Sequence, residues 1–340
     1  MQDRRQGQRR ESDVDRPTTR AVVVEQWGDP SVLEVRNSPL HEPGPGEVRV
    51  RVRYAGVNYV DVYHRTGLYP KEPPFVPGVE AAGEVDAVGR EVEGVQPGMR
   101  VAFAMSPGAY AEHVNVPAWK LVEVPAAVDL KLAAAVMVQG MTAHYLSAAT
   151  YPIREGDRVL VHAAAGGVGH LLVQLAIKRG ATVIGTCSTE EKAELVRGAG
   201  AQHVVRYTEE DFLDAVMSIT DGAGVHAVYD SVGRDTFDRS LRCLARRGIL
   251  VLFGQSSGPV PPVDPQRLAR QGSVFLTRPG LGDYMPDAQS VRDHASPVFS
   301  WIEGGQLDVR IDRVLPLDEA RTAHQLLEGR QTAGKLLLEA

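Results

Sequence analysis

Residues 159–162 form a short apolar run (Val-Leu-Val-His), Ala163-Ala164-Ala165-Gly166-Gly167-Val168-Gly169 a stretch of small residues, and residues 170–176 a helix-forming run. Small residues at such a corner let backbone N–H groups approach a ligand closely, and the helix that follows presents its electropositive N-terminus at the same point. A strand–turn–helix of this kind suits the pyrophosphate of a dinucleotide. Glycines also mark ordinary strand-to-helix corners. Ala164 stands where the first glycine of G-x-G-x-x-G would fall, so the flanking pattern must decide.

The flanks favour the dinucleotide. After a helical run at 130–149, apolar strands are expected at 158–162, 182–186, 203–206, 227–229, 248–253 and 274–277. Helical stretches at 169–179, 190–198 and 236–244 lie among them. Such alternation predicts a parallel sheet with helices on both faces. Upstream, short strands at 21–24, 47–52, 82–88 and 100–103 are separated by turn signals at 43–46 and 96–98. Residues 49–53 alternate arginine and valine with period two, as a strand with one wet face does. This part reads as a compact β-barrel or sandwich. A helix around 295–303 and a closing strand near 335–338 return to a mixed pattern. The expected division is a tail at 1–20, one domain from 21–140 with 281–340, and a nucleotide-binding domain at 141–280.

At 340 residues the chain is long enough for two domains. Its 43% hydrophobic and 24% charged residues are ordinary for a soluble protein. A net charge of −6 argues against a nucleic-acid footprint. Two cysteines, Cys187 and Cys243, build no disulfide framework and point to the cytoplasm. The longest apolar stretch, 132–149, is interrupted by Gln139 and His144, so no membrane association is expected. Residues 1–20 are rich in Arg, Asp, Glu and Gln and lack the apolar centre of a signal peptide, so a disordered tail is expected there.

The strand at 181–186 is followed by Cys187, Ser188 and Thr189, where an NAD-binding chain would place a carboxylate for the ribose hydroxyls. Without that charge a 2′-phosphate is not repelled. Lys192, with Arg206 or Tyr207 at the end of the next strand, offers it a cation and a phenol. NADPH is therefore expected over NADH. The competing reading is that Ser188 and Lys192 merely begin an exposed helix, and Glu190 and Glu191 would oppose a phosphate if they turned inward.

Several further segments occur in a characteristic order: Gly56-Val57-Asn58-Tyr59-Val60-Asp61, Gly67-Leu68-Tyr69-Pro70, Pro77-Gly78-Val79-Glu80-Ala81-Ala82-Gly83, Tyr229-Asp230-Ser231-Val232-Gly233, Arg246-Arg247-Gly248 and Phe253-Gly254-Gln255-Ser256-Ser257-Gly258. Together with the glycine turn they resemble the zinc-free quinone oxidoreductase (zeta-crystallin-like) branch of the medium-chain dehydrogenase/reductase superfamily, over nearly all of the chain after the tail. The resemblance implies an α/β protein in which a GroES-like β-barrel catalytic domain joins a Rossmann doubly wound parallel-sheet domain across a cleft. It implies a pyrophosphate turn at Gly166, Gly167, Val168 and Gly169, and a 2′-phosphate pocket at Ser188, Lys192 and Tyr207. By the same resemblance Phe253 and Ser256 lie against the cofactor and Lys335 reaches toward it. Asn58, Tyr63 and Tyr69 stand by the nicotinamide and the substrate, and the chain forms a homodimer.

Zinc relatives in that superfamily resemble a Cys, His, Cys site. Here Asn58, Val79 and Gln139 hold those positions, and His64, His113 and His162 are scattered, so no metal is expected. Without a Lewis acid, an acceptor that delocalises the incoming charge is favoured. The expected activity is NADPH:quinone oxidoreduction. Tyr63, Tyr69 or a water would give the proton, with Asn58 as a further hydrogen-bond donor; both tyrosines could equally pack or gate the cleft. The alternatives are reduction of enone or alkenal double bonds, and a structural or RNA-binding protein that holds NADPH with little turnover.

Overall fold

The computed structural model describes residues 17–340. Residues 1–16, most of the expected tail, lie outside the described residues. The rest of that expectation is corrected, because Thr18, Thr19 and Arg20 open strand β1 (Thr18–Val24), paired antiparallel with β2 (Leu33–Pro39). Thr19 is buried with its hydroxyl 3.1 Å from His113 Nδ1, and the Arg20 N–H donates to Glu112 at 2.9 Å. Pairing across the chain orders polar residues that have no local reason to be ordered.

The N-terminal half continues through β3 (Glu47–Val57), helix α1 (Tyr59–Arg65), β4 (Glu80–Val88), β5 (Arg100–Ala104), β6 (His113–Pro117) and β7 (Val122–Glu123). The predicted alternation holds in β3. Val48, Val50 and Val52 are buried, while Arg49 pairs with Asp86 at 2.5 Å and Arg51 pairs with Glu84. Helix α2 (Leu130–Tyr145) follows, capped by Asp129, whose carboxylate accepts the Lys131 N–H at 2.7 Å. The α-helix ends four residues before the expected 149, and residues 146–150 complete it as a π-turn.

Strands β8 (Arg158–Val161), β9 (Thr182–Cys187), β10 (His203–Arg206), β11 (Val225–Asp230), β12 (Leu244–Leu252) and β13 (Phe275–Thr277) form an all-parallel sheet in the order β10-β9-β8-β11-β12-β13. Between them run α3 (Gly167–Lys178), α4 (Glu190–Gly198), α5 (Phe212–Ile219), α6 (Phe237–Arg242) and α7 (Gln266–Arg270). The chain lays strands outward from β8 on one side and then returns to lay them on the other. A crevice opens at that reversal, beyond the strands' carboxyl ends.

After α8 (Ala288–Glu303) come β14 (Ile311–Pro316), α9 (Ala320–Glu328) and β15 (Lys335–Glu339). Strand β15 inserts between β14 and β3, in a seven-stranded sheet that runs β14-β15-β3-β4-β5-β7 with β6 also on β3. Helix α8 starts well before the expected 295. Asp287 caps it by accepting the Ser290 N–H at 2.8 Å, and Pro297 sits inside it. One core runs through both halves by way of α2, joining Ala82 and Leu337 to Val161 and Tyr229.

Between α2 and α8, His144 and His294 meet nitrogen to nitrogen at 2.8 Å, beside the stacked rings of Tyr145 and Tyr284, 4.1 Å apart. Burial, aided by His294, pushes the His144 pKa down from 6.5 to about 4. The folded value lies below the unfolded one, so this contribution is complete above pH 6.5 and drains away as pH falls toward 4. Urea unfolding should lose about 1–2 kcal/mol over that window from this ring, allowing for solvent screening. A His144→Gln variant should lose that much less; equal losses in the two proteins would refute the assignment.

Candidate active site

A cavity of about 590 Å³ lies at the crevice, between the carboxyl ends of the parallel strands and the wall made by α1 and the approach to β15. Its floor is the turn after β8. Ala163 adopts φ 49°, Gly166 is extended, and α3 begins at Gly167. A Cβ on Gly169 would stand 2.3 Å from Ala163 O and 2.8 Å from Ala164 Cα, and one on Gly167 would stand 2.9 Å from Gln139 Cγ. The turn is therefore closed to side chains at these glycines, and the N–H groups that open α3 lie along the cavity. This cradle fits a dinucleotide pyrophosphate.

Ser188, Lys192 and Tyr207 line the same cavity past the end of β9, and no carboxylate occupies positions 187–189. Glu190 does not turn inward. It pairs with Arg197 at 2.6 Å and Arg206 at 3.1 Å, which also removes Arg206 as a cation for the pocket. Lys192 Nζ instead donates to the Arg330 carbonyl at 2.8 Å, and burial lowers its pKa. Arg330, absent from the sequence reading, lines the pocket from the segment before β15, with its guanidinium 3.9 Å from Asp235.

Asn58, at the N-cap of α1, is the hub of a buried cluster. Its Nδ2 donates to Glu80 Oε1 at 2.8 Å and to Gly56 O at 3.2 Å. Its Oδ1 accepts from Gln139 Nε2 at 2.6 Å and from Lys335 Nζ at 2.9 Å. Lys335 also donates to Val57 O at 3.0 Å and to Glu80, whose second oxygen takes the Val138 N–H at 2.6 Å. An ammonium only donates and a carboxylate only accepts. The ion pair therefore fixes which way both amides point. Every hydrogen of the Asn58 amide and of the Lys335 ammonium is committed within the cluster. A side chain at Gly56 would meet Glu80 Oε1 at 2.2 Å.

Behind Asn58, Asp61 Oδ2 accepts the Asn58 N–H at 2.9 Å and the Tyr110 hydroxyl at 3.1 Å. Tyr110 also meets His324 Nε2 at 3.2 Å, and Arg65 donates to His324 Nδ1 at 3.2 Å. Because the guanidinium can only donate, all the hydrogens in this chain point toward Asp61. Burial raises the Asp61 pKa to about 7 and lowers that of His324 to about 3.

The two tyrosines of α1 and its following loop differ from Asn58. Their rings lie 5.0 Å apart. Tyr63 OH accepts the Gln255 N–H at 3.2 Å, and Tyr69 OH accepts Arg278 Nη2 at 3.0 Å. Each phenol so accepts a bond from the nucleotide-binding half and keeps its own hydrogen. Burial holds the Tyr63 pKa above the usual phenol range. Phe253 and Ser256 line the cavity from the loop after β12. His162 is a satisfied core histidine, bonded to Thr186 Oγ1 at 3.0 Å and Ser240 Oγ at 2.9 Å.

A nucleotide cleft between a largely antiparallel seven-stranded sheet and a doubly wound parallel sheet defines a two-domain oxidoreductase. Residues 44–126 match the family model of the alcohol dehydrogenase GroES-like domain, and residues 167–288 that of zinc-binding dehydrogenases. The chain is 45% identical to a quinone oxidoreductase of Pseudomonas aeruginosa, over 92% of this chain and 97% of the relative. It is 42% identical to a 2-haloacrylate reductase of a Burkholderia species, over 94% and 98%. The structure of Escherichia coli quinone oxidoreductase complexed with NADPH matches with TM-score 0.92 at 40% identity, covering 95% of this chain and all of that one. The chain belongs to the quinone oxidoreductase branch of the medium-chain dehydrogenase/reductase superfamily.

Proposed function

We propose that this chain is an NADPH:quinone oxidoreductase that works without a metal. The observation that carries the reading is the pocket past β9, where Lys192 Nζ stands against the Arg330 carbonyl, the Arg330 guanidinium lies 3.9 Å from Asp235, and no carboxylate stands at 187–189. A 2′-phosphate there gains charge-assisted hydrogen bonds. Isothermal titration with NADPH and NADH tests this. NADPH should bind the tighter, and Lys192→Ala with Arg330→Ala should erase at least about tenfold of the preference. Equal affinity for the two nucleotides in the unsubstituted protein would sink the reading.

Bound NADPH supplies the hydride. The chain orients the acceptor between Tyr63, Tyr69 and the apolar wall, and excludes water from it. Tyr63 stays protonated because burial opposes its anion, so it acts on the acceptor oxygen as a hydrogen-bond donor. Tyr69 has the same free hydrogen. Asn58 and Lys335 have none, and we assign them to holding the wall of the site rather than to the acceptor. Asn58 and Gln139 are bonded to each other, Val79 is buried, and among the described residues no three His, Cys, Asp or Glu side chains gather to hold a metal ion. Metal analysis of the purified protein checks the point.

The 2-haloacrylate reductase relative favours a second reading, reduction of a conjugated double bond. Turnover of simple alkenals but not of phenanthrenequinone would select it. Tight NADPH binding with no oxidation by either would select a structural role. Homodimerisation through the free edge of β13, where Phe275 is 55% exposed, and a cytoplasmic location complete the proposal. Among the described residues no helix is long and apolar enough to cross a membrane.

A further inference from the structure

Arg278 follows β13 and lines the cavity beside Tyr69. It is an exposed cation that makes no ion pair among the described residues. Its contacts are the Tyr69 hydroxyl at 3.0 Å and the Pro279 carbonyl at 3.4 Å. A guanidinium carries five N–H donors, so about three remain uncommitted. The sheet order separates it from the nucleotide anchors. β13 lies three strands from β8, whose turn cradles the pyrophosphate, and four from β9, beyond which Lys192 stands. At a spacing of about 4.8 Å per strand, those steps put the β13 strand axis about 14 and 19 Å from those of β8 and β9. Arg278 is therefore at the acceptor end, where the Tyr69 hydrogen is also free.

We propose that Arg278 makes this cleft selective for electron-poor acceptors that carry an anionic group, a carboxylate or sulfonate, next to the reducible system. The inference rests on the quinone reading above and names the substrate class within it. A carboxylate or sulfonate meets a planar fork that needs no rearrangement of a competing ion pair. The Tyr69 hydroxyl adds a second donor from the opposite wall. The chain's net charge of −6 works against anions at long range, so the preference is local to this guanidinium.

The test compares 1,4-naphthoquinone with its 2-sulfonate, in the unsubstituted protein and in Arg278→Gln and Arg278→Lys. The ratio of kcat/KM for the sulfonate to that for the parent quinone should fall about tenfold in Arg278→Gln. The change should lie in KM, and Arg278→Lys should restore part of the ratio. Using a ratio cancels whatever the substitution does to Tyr69 in general. An unchanged ratio overturns the proposal, as would be found if Asp283 on the following turn already neutralised Arg278. Binding of naphthalene-2-sulfonate, read by titration calorimetry, gives an arm independent of turnover. Its affinity should fall about tenfold in Arg278→Gln and in high salt. If neither quinone is reduced but this affinity still falls, the quinone reading fails and the anion site stands. If this affinity does not fall, the anion site fails.

Discussion

Replacing Lys335 with methionine should lower the free energy of unfolding by about 3–5 kcal/mol, because it leaves the fully buried Glu80 carboxylate without its cation. The same substitution removes one of the two donors to Asn58 Oδ1. The double variant Lys335→Met with Glu80→Gln should recover a large part of the loss, since the pair is then neutral on both sides and the remaining amide can still donate or accept. Denaturant unfolding of the three proteins measures this. If the single variant were as stable as the parent, Glu80 would not be the buried anion described, and the directions assigned to both amides would fall with it.

Gly169→Val should abolish useful NADPH affinity, with a loss of about hundredfold or more. The added Cβ would overlap Ala163 O at 2.3 Å and crowd Ala164 Cα at 2.8 Å, both of them backbone atoms that cannot rotate away. The turn must shift, and with it the N–H groups that open α3. Gly198→Ala is the matched control. A Cβ there meets nothing within 4 Å, and it ends α4 on the exposed side. It should leave binding alone and raise stability by a few tenths of a kcal/mol, up to about 1. Retained affinity in Gly169→Val would remove the turn as the pyrophosphate cradle.

What the sequence disclosed was local. The small-residue turn at 163–169, the six apolar runs of the parallel sheet and the arginine–valine alternation of β3 depend on neighbours along the chain, and periodicity reads such neighbours directly. Helix α8 begins before the expected 295, although the Asp287 cap was there to be seen. The pairing of Thr18 to Arg20 depends on residues far along the chain, and nothing nearby announces it. The same holds in the site. Tyr63, Tyr69, Ser188 and Lys192 line one cavity. That Asn58 and Lys335 have no hydrogens to offer depends on the Glu80 carboxylate and the Gly56 and Val57 carbonyls, contacts that only the folded chain brings together. Arg278 and Arg330 reach the cleft from loops, where charge alone carries no sequence signature.

The position of β15 has a consequence for how the molecule is made. Lys335 lies 255 positions after the Glu80 it neutralises, and its strand is the piece that joins β14 to β3. During synthesis the residues of the parallel sheet emerge before that strand does, so the nucleotide-binding half has its full complement of strands first. The acceptor half waits with an open seam and an unneutralised carboxylate. The order of translation therefore sets which half is exposed longest to chaperones, and makes the last strand the event that shuts the active-site wall.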